Sequence, residues 1–384
     1  MDALRASTML LLVPVHAATI LALNGHDGAW STAVYWLVHV FRLPLFFAMS
    51  GFFLALLLTR KGLGETARNR TLRIVIPLAV GLVTLVPLTI LIAQQTGTSI
   101  SVDGVPGGSP FSFEPGFLWF LWYLLIVDAA AVALYLLAPR FLRAAGERFR
   151  ALVARPLGGI LLLAIPTALA IWPASSWMVA PAADTFVPEP AALVYYAIFF
   201  ALGASLFAFR ELVEAASRNA WRWFAAALCT IVPAGLLFSL HNSASLSSRP
   251  AVHAVALLVY AVATWTSLFA LVGLADRYLN RPRPLLRYLA DSSYWIYLSH
   301  LPALVALVAL IGVMSLGTAP QFVLVTALSI AFSLLTYPLF VRYTVIGQTL
   351  NGPRYRSRSG LGGQPADGPE QIPDLVVRRR VKAV

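Results

Sequence analysis

Long apolar runs separated by short polar segments dominate the hydrophobic pattern of the chain. Each run is close to the roughly 20 residues that an α-helix needs to cross a bilayer. The runs cover residues 6–23, 34–58, 72–93, 116–138, 156–172, 191–209, 223–240, 252–274, 292–313 and 321–341. The pattern therefore predicts an all-α, polytopic membrane protein with about ten transmembrane helices.

The basic residues between the runs occur in every second loop. Lys and Arg concentrate in the short cytoplasmic loops of membrane proteins. Here they follow the second, fourth, sixth, eighth and tenth runs, whereas the loops after the odd-numbered runs contain only Arg249. This alternation predicts that the basic loops and both termini are cytoplasmic. An alternative for the N-terminus is a secretory signal that ends at Ala17, which would remove the first span.

Composition agrees with the membrane assignment. Of the 384 residues, 59% are hydrophobic and 11% are charged, whereas roughly 25% are charged in soluble domains. The net charge of +12 is an orientation signal and does not indicate nucleic-acid binding, because the basic residues are confined to alternate loops. Cys229 is the single cysteine and cannot form an internal disulfide. We predict a transmembrane domain over residues 1–343 and a basic, disordered cytoplasmic tail over residues 344–384.

Ionisable residues inside predicted spans are the first candidates for function. Arg5 and His16 are 11 residues apart, which is three helical turns and about 16 Å, so they project from nearly the same face. His16 then lies near the middle of the bilayer. His300, in the ninth run, is predicted at a similar depth, about 13 Å from the cytoplasmic side. Each is a candidate proton acceptor or, alternatively, a buried histidine that bonds to a neighbouring helix.

Arg42 is the only formally charged residue between positions 34 and 58. Burying it in hydrocarbon costs at least ~2.5 kcal/mol, so we expect an anionic or carbonyl partner. It is predicted about 12 Å below the outer boundary, at the level of the two histidines. The alternative to a catalytic role is a structural pair, for example with Asp128. Below Arg42, Ser50 and Gly51 predict a close helix contact or a hydroxyl bonded to a neighbour.

Two further groups of side chains have alternative interpretations. Arg70 and Arg73 begin the third run on adjacent turns, and they are either part of the cytoplasmic charge signal or a clamp for phosphates. Trp119, Trp122 and Tyr123 begin the fourth run near its outer end. They are either interfacial belt residues or a platform on which a sugar stacks.

At these residues the chain resembles the membrane acyltransferase-3 family, which comprises ten-helix bacterial enzymes that O-acylate cell-surface and periplasmic carbohydrates. Arg5 and His16 match its first-helix signature, and Arg70 and Arg73 match an arginine pair at the start of its third helix. Other matching segments cover residues 41–47, 46–52, 118–121 and 297–302. Residues 46–52 match the family's second-helix phrase, whereas 41–47, 118–121 and 297–302 are most similar to the branch that succinylates periplasmic glucans. The likeness covers residues 1–343.

The resemblance implies transfer of an acyl group, acetyl or succinyl, from cytoplasmic acyl-coenzyme A to a carbohydrate hydroxyl across the bacterial inner membrane. It also implies that His16 is the catalytic residue and that Arg5, Arg70 and Arg73 bind the coenzyme. From their chemistry, and not from the resemblance, we add two catalytic candidates: Arg42, which would stabilise the oxygen of the attacked carbonyl or bind a donor carboxylate, and His300. Trp119, Asp128 and Tyr297 would contact the substrate. No metal is expected, the lipid bilayer surrounds the protein, and a homodimer is compatible with the sequence. The alternative is a proton-coupled transporter or flippase that uses the intramembrane His, Arg and Asp residues.

Overall fold

The computed structural model describes residues 2–26, 28–102, 105–106, 114–153, 155–174, 185–241, 250–279, 281, 283–314 and 316–351. In these ranges the regular elements are helices, apart from one short ladder in which Ser101–Val102 pairs antiparallel with Val105–Pro106. The α-helices, in chain order, are α1 (Asp2–Leu10), α2 (Leu12–Leu23), α3 (Ala29–Arg70), α4 (Ile76–Val83), α5 (Leu85–Thr96), α6 (Trp119–Leu137), α7 (Pro139–Val153), α8 (Pro156–Ile171), α9 (Pro190–Ala208), α10 (Arg210–Arg218), α11 (Ala220–His241), α12 (Pro250–Tyr278), α13 (Pro284–Gly312), α14 (Thr318–Thr336) and α15 (Val345–Asn351).

Eight helical segments within the described ranges are long and apolar enough to cross a membrane. One of them, Trp30–Thr96, contains both the second and the third predicted spans. The fifth predicted span corresponds to a shorter apolar helix, Gly159–Ile171. All ten predicted spans therefore coincide with helices, and the prediction of an all-α polytopic membrane protein is confirmed.

The first span is divided, whereas the sequence predicted one continuous helix. Helix α1 ends at Leu10 and α2 begins at Leu12. Pro14 lies one turn further along and has no amide hydrogen to donate to the carbonyl of Leu10, which weakens the helix at this point. Both α1 and α2 pack against α13, so the two parts of the divided span share one neighbouring helix.

Helix α3 reverses direction at Gly62, which has a φ of 77°. A left-handed backbone conformation of this kind favours glycine. The Nη2 of Arg70 donates a hydrogen bond to the carbonyl oxygen of Ser50, 3.1 Å away, although 20 residues of straight helix would separate them by about 30 Å. The chain therefore leaves the second span, turns at Gly62 and returns alongside it before the third span begins.

Helices α3 and α9 approach each other closely at two glycines. A Cβ atom on Gly51 would overlap the carbonyl oxygen of Phe200, and one on Gly203 would overlap the carbonyl oxygen of Ala48. Small residues allow such backbone contact between membrane helices. The close helix contact predicted at Ser50 and Gly51 is confirmed, and it fixes the position of the helix that carries Arg42.

Several local elements were absent from the sequence prediction. Short π-helices cover Thr71–Val75 and Tyr337–Val341. The loops after the fourth and sixth spans contain the charged helices α7 and α10, and Arg150 Nη1 on α7 lies 3.1 Å from Glu211 Oε1 on α10. Residues 345–351, which were assigned to a disordered tail, form α15, and residues 352–384 lie outside the described ranges.

Candidate functional site

Two histidines from different spans lie side by side inside the helix bundle. The ring centroids of His16 on α2 and His300 on α13 are 5.1 Å apart, with an interplanar angle of 66°. His300 is 1% exposed, whereas His16 is partly accessible, as expected for a side chain that lines a cavity. The two histidines, which the sequence predicted at a similar depth, are therefore in direct contact.

The hydrogen bonds of His300 determine which of its nitrogens can react. Its Nδ1 lies 2.7 Å from the carbonyl oxygen of Tyr297 and 3.1 Å from that of Ile296. A carbonyl oxygen only accepts, so Nδ1 carries a hydrogen and donates it. The buried Nε2 has no hydrogen-bond partner among the described residues. Helix α13 therefore presents the lone pair of Nε2 in neutral His300, and this nitrogen can accept a proton or a hydroxyl hydrogen.

Arg42 shares a cavity with the two histidines. It is 3% exposed, and its charge acts on both imidazoles. The cavity is lined by Met9, Leu12, His16, Arg42, Leu43, Phe46, Phe117, Trp119, Phe120, Tyr297 and His300. Its volume is about 30 Å³, enough for ordered water and too small for a sugar ring or a thioester arm. Binding of either substrate therefore requires helices around the cavity to separate.

The three candidate donor-binding arginines lie together at the other end of the site. Arg73 is within electrostatic range of both Arg5 and Arg70. Arg73 is part of the π-helix Thr71–Val75, and single π-turns often occur at functional positions because they change the direction of side chains locally. Arg5 and Arg73 thus provide positive charge suited to phosphates, and Arg70, which is paired with Asp128, extends the cluster.

Aromatic rings on α13 connect the arginines to the histidine pair. The hydroxyl of Tyr294 donates to the backbone carbonyl of Arg73 over 2.6 Å. Its ring centroid is 6.1 Å from that of Tyr297, which in turn is 6.3 Å from that of His300. These residues follow each other at intervals of three, so they lie on one face of the helix. The arginine cluster and the histidine pair are thus two ends of one continuous structure.

Asp128 does not reach the cavity. Its Oδ2 lies 3.3 Å from Nε of Arg70, and its side chain is 4% exposed. The structural pair between Arg42 and Asp128, which the sequence left open, is therefore wrong, because the carboxylate of Asp128 neutralises Arg70 instead. This placement also gives no support to the prediction that Asp128 contacts the substrate.

The aromatic residues at the start of α6 lie inside the protein and not at a lipid interface. Trp119 and Tyr123 are 4% and 2% exposed, so the interfacial belt prediction is wrong for both. Trp119 lines the histidine cavity together with Tyr297. The hydroxyl of Tyr297 donates to the carbonyl of Phe117 over 3.2 Å, which holds its ring against the cavity.

Sequence reasoning missed a third buried histidine. His39 on α3 is 3% exposed, and neither of its ring nitrogens has a hydrogen-bond partner among the described residues. It lies within electrostatic range of Arg42 and His16. Its spacing of three residues before Arg42 is the signal that could have identified it, because residues at this interval share a helix face.

A larger cavity lies elsewhere in the bundle and carries different chemistry. Its volume is about 200 Å³, and it is lined by Val153, Ile160, Leu163, Leu212, Ala215, Ala216, Arg218, Asn219, Trp223 and Phe269. No histidine or acidic residue is among these side chains. The candidate site is therefore the smaller cavity, where acid–base groups meet.

Over part of its length the chain is similar to curated proteins of one name. The chain is 27% identical to glucans biosynthesis protein C of Salmonella gallinarum over 151 residues, which cover 36% of this chain and 39% of that protein. It is also 27% identical over 146 residues to the proteins of the same name from Salmonella paratyphi B and Salmonella heidelberg, covering 38% of each. The matched part thus spans under two fifths of these relatives.

No solved structure matches the chain significantly. The family model described as an acyltransferase domain matches residues 1–338. This range includes both histidines of the cavity and all three clustered arginines. The chain therefore belongs to the acyltransferase-3 family of membrane acyltransferases.

Proposed function

We propose that the protein is an O-acyltransferase that moves an acyl group from cytoplasmic acyl-coenzyme A to a hydroxyl of an extracytoplasmic carbohydrate. One observation carries the proposal: His16, Arg42 and His300, from three separate helices, line one buried cavity. A sugar hydroxyl is a weak nucleophile until a base removes its proton. A thioester carbonyl oxygen becomes negative as the carbonyl carbon is attacked. The cavity contains a group for each requirement.

In the proposed reaction His16 takes the proton of the attacking hydroxyl. The hydroxyl oxygen forms a bond to the acyl carbon, and Arg42 stabilises the negative charge on the carbonyl oxygen. The carbon–sulfur bond then breaks, and the proton held by His16 passes to the departing thiolate, so the products are an ester and free coenzyme A. The lone pair on Nε2 of His300 accepts a hydrogen bond from a neighbouring hydroxyl of the acceptor and so orients the sugar.

The arginine cluster is the proposed site for the phosphates of the donor. Arg5, Arg70 and Arg73 lie at the end of the bundle that we assign to the cytoplasm, where acyl-coenzyme A is available. The aromatic rings of Tyr294 and Tyr297 connect this cluster to His300, so the pantetheine arm can follow them to the cavity. Because the cavity is only about 30 Å³, we infer that donor binding separates the surrounding helices.

The proposed acceptor is a glucan, and the proposed acyl group is acetyl or succinyl. The printed name of the Salmonella relatives, glucans biosynthesis protein C, supports a glucan acceptor. The resemblance in residues 297–302 supports the branch that transfers succinyl groups. The proposed location is the cytoplasmic membrane of a bacterium, with the acceptor on its outer side.

The test is acceptor-dependent release of free coenzyme A by the purified protein in detergent or nanodiscs. Acetyl- and succinyl-coenzyme A are each supplied with a soluble glucan, and thiol release is measured together with the mass of the glucan. We expect turnover by the wild type and a loss of at least about 100-fold in His16→Ala, because a general base contributes roughly this factor or more. Unchanged turnover in a folded His16→Ala variant would exclude His16 from the chemistry.

His253→Ala is the matched control for that experiment. His253 lies on α12, and its ring packs against Trp172 with a centroid distance of 4.8 Å, so it is a histidine within a span and outside the cavity. We expect its turnover to remain within twofold of the wild type. A loss equal to that of His16→Ala would indicate that removing any intramembrane histidine damages the fold.

A further inference from the structure

Four residues of α3 lead outward from the cavity along one face of the helix. Tyr35, His39, Arg42 and Phe46 are spaced by four, three and four residues, which places them on one face of a helix. Arg42 and Phe46 line the cavity. Tyr35 and His39 continue the same face by about two turns toward the N-terminal end of α3, which is the outer end in the topology proposed above.

The environment of the His39 imidazole indicates that this face of α3 binds a polar group. Its imidazole is almost fully buried, yet Nδ1 and Nε2 both lack a hydrogen-bond partner among the described residues. Leaving a buried polar group unsatisfied is unfavourable by about 1–3 kcal/mol, and such groups in native proteins usually have a ligand, a water or a functional role. Its ring stacks on that of Tyr35, with centroids 4.7 Å apart and an interplanar angle of 23°.

We propose that Tyr35 and His39 form the subsite that binds the carbohydrate acceptor and directs one hydroxyl toward His16. This inference rests on the proposed acyltransferase function. A neutral imidazole offers one donor and one acceptor, and a sugar hydroxyl can bond to both. A tyrosine ring presents an apolar face that can pack against the C–H face of a pyranose, and it has a polar hydroxyl at its edge.

The position of the two side chains determines their roles. Tyr35 is partly accessible and stacks on His39, so in the proposed subsite it meets the sugar first. His39 lies one turn before Arg42 and within electrostatic range of His16, so a hydroxyl bound to it is next to the base. His39 is therefore a positioning residue, and proton removal remains with His16. The subsite favours neutral polyhydroxy compounds over apolar acceptors.

The test measures binding of a linear gluco-oligosaccharide to the purified full-length protein by isothermal titration calorimetry, without any acyl donor. We expect His39→Leu to weaken oligosaccharide binding about tenfold or more, and His39→Gln, which retains one donor and one acceptor, to recover most of the affinity. Tyr35→Ala alters a partly accessible residue and should also weaken binding. Leu37→Ala, on the exposed side of α3, is the matched control and should bind like the wild type.

Kinetics distinguish failure of this subsite from failure of the proposed function. In the acyl-transfer assay His39→Leu should raise the KM for the acceptor about tenfold while the KM for acyl-coenzyme A stays within twofold. Suppose that the wild type transfers the acyl group and that both His39→Leu and Tyr35→Ala bind the acceptor as tightly as the wild type does. This result would overturn the subsite, and the acyltransferase proposal would still hold. If His39→Leu does not fold, the acceptor affinity and the acceptor KM of Tyr35→Ala provide the test. Absence of oligosaccharide binding by the wild type would also overturn the subsite, whatever the transfer assay shows.

Discussion

At the scale of single residues, burial of charge explains which side chains meet. Arg70 and Asp128 face each other within the bundle, with side chains 15% and 4% exposed. Arg70 also donates to the carbonyl of Ser50, so it joins α6 to the second span. Taking one member away leaves an isolated charge in a poorly solvated position, which is far less favourable than leaving the pair or removing both.

We therefore predict that Asp128→Leu lowers the free energy of unfolding by about 3 kcal/mol. The double variant Arg70→Met/Asp128→Leu should recover at least half of that loss, because no unpaired charge remains. Thermal unfolding in detergent measures both effects. Asp128→Leu with wild-type stability and a raised KM for the acceptor would show that Asp128 contacts the substrate, as the sequence suggested, and that its pairing with Arg70 is unimportant.

The sequence identified the depth of the important residues and not their partners. Hydropathy and helical rise placed His16, Arg42 and His300 at one level, and the structure brings all three to one cavity. Asp128 was paired with the wrong arginine because partner choice depends on which helices are neighbours. His39 was missed although it is an ionisable residue inside a predicted span, because its burial and its proximity to Arg42 and His16 depend on how the helices pack.

At the scale of helices, the contact between α3 and α9 controls the geometry of the cavity. Gly51 and Gly203 allow the two backbones to touch, and Arg42 lies on the same helix, nine residues before Gly51. Membrane helices gain little from hydrophobic exclusion, because lipid is as apolar as their side chains. Close backbone packing is therefore the principal attraction at this contact, and a single methyl group can disturb it.

Gly203→Ala is predicted to lower the free energy of unfolding by about 1–3 kcal/mol and to reduce acyl transfer, because a Cβ there overlaps the carbonyl oxygen of Ala48. Gly312→Ala is the control, since a Cβ at that helical position meets open space. It should be neutral or slightly stabilising. Thermal unfolding of the two variants in the same detergent compares them. Equal stability of both would mean that α3 and α9 separate without penalty.

Element boundaries show where sequence patterns stop being informative. The ten apolar runs all became helices, because length and apolarity alone determine whether a segment crosses the bilayer. The break at Leu11 and the π-helix at Thr71–Val75 depend on local hydrogen bonding that hydropathy does not reflect. Helices α7 and α10 were overlooked because their residues were counted as charge in loops and not as amphipathic segments.

At the scale of the whole molecule, the two ends of the bundle are chemically different. Arg5 lies near Arg73, and α15 packs against the π-helix that contains Arg73, so α1 and α15 lie at the same end of the bundle. At the opposite end the amide of Asn24 donates to the carbonyl of Ser99 and accepts from its backbone amide, each over 2.9 Å. These bonds tie the end of α2 to the segment that follows α5.

Cysteine labelling tests which end is cytoplasmic. In a Cys229→Ser background, single cysteines at Gln95, Ala144 and Gln348, all of which are exposed, are treated with a membrane-impermeant maleimide in intact cells. Gln95 lies at the end of α5, close to the Asn24 contact, and should be labelled. Ala144 in the basic helix α7 and Gln348 in α15 should react only after permeabilisation, because short basic loops stay inside. Labelling of position 348 but not 95 in intact cells would invert the topology, and the arginine cluster could then no longer receive a cytoplasmic donor.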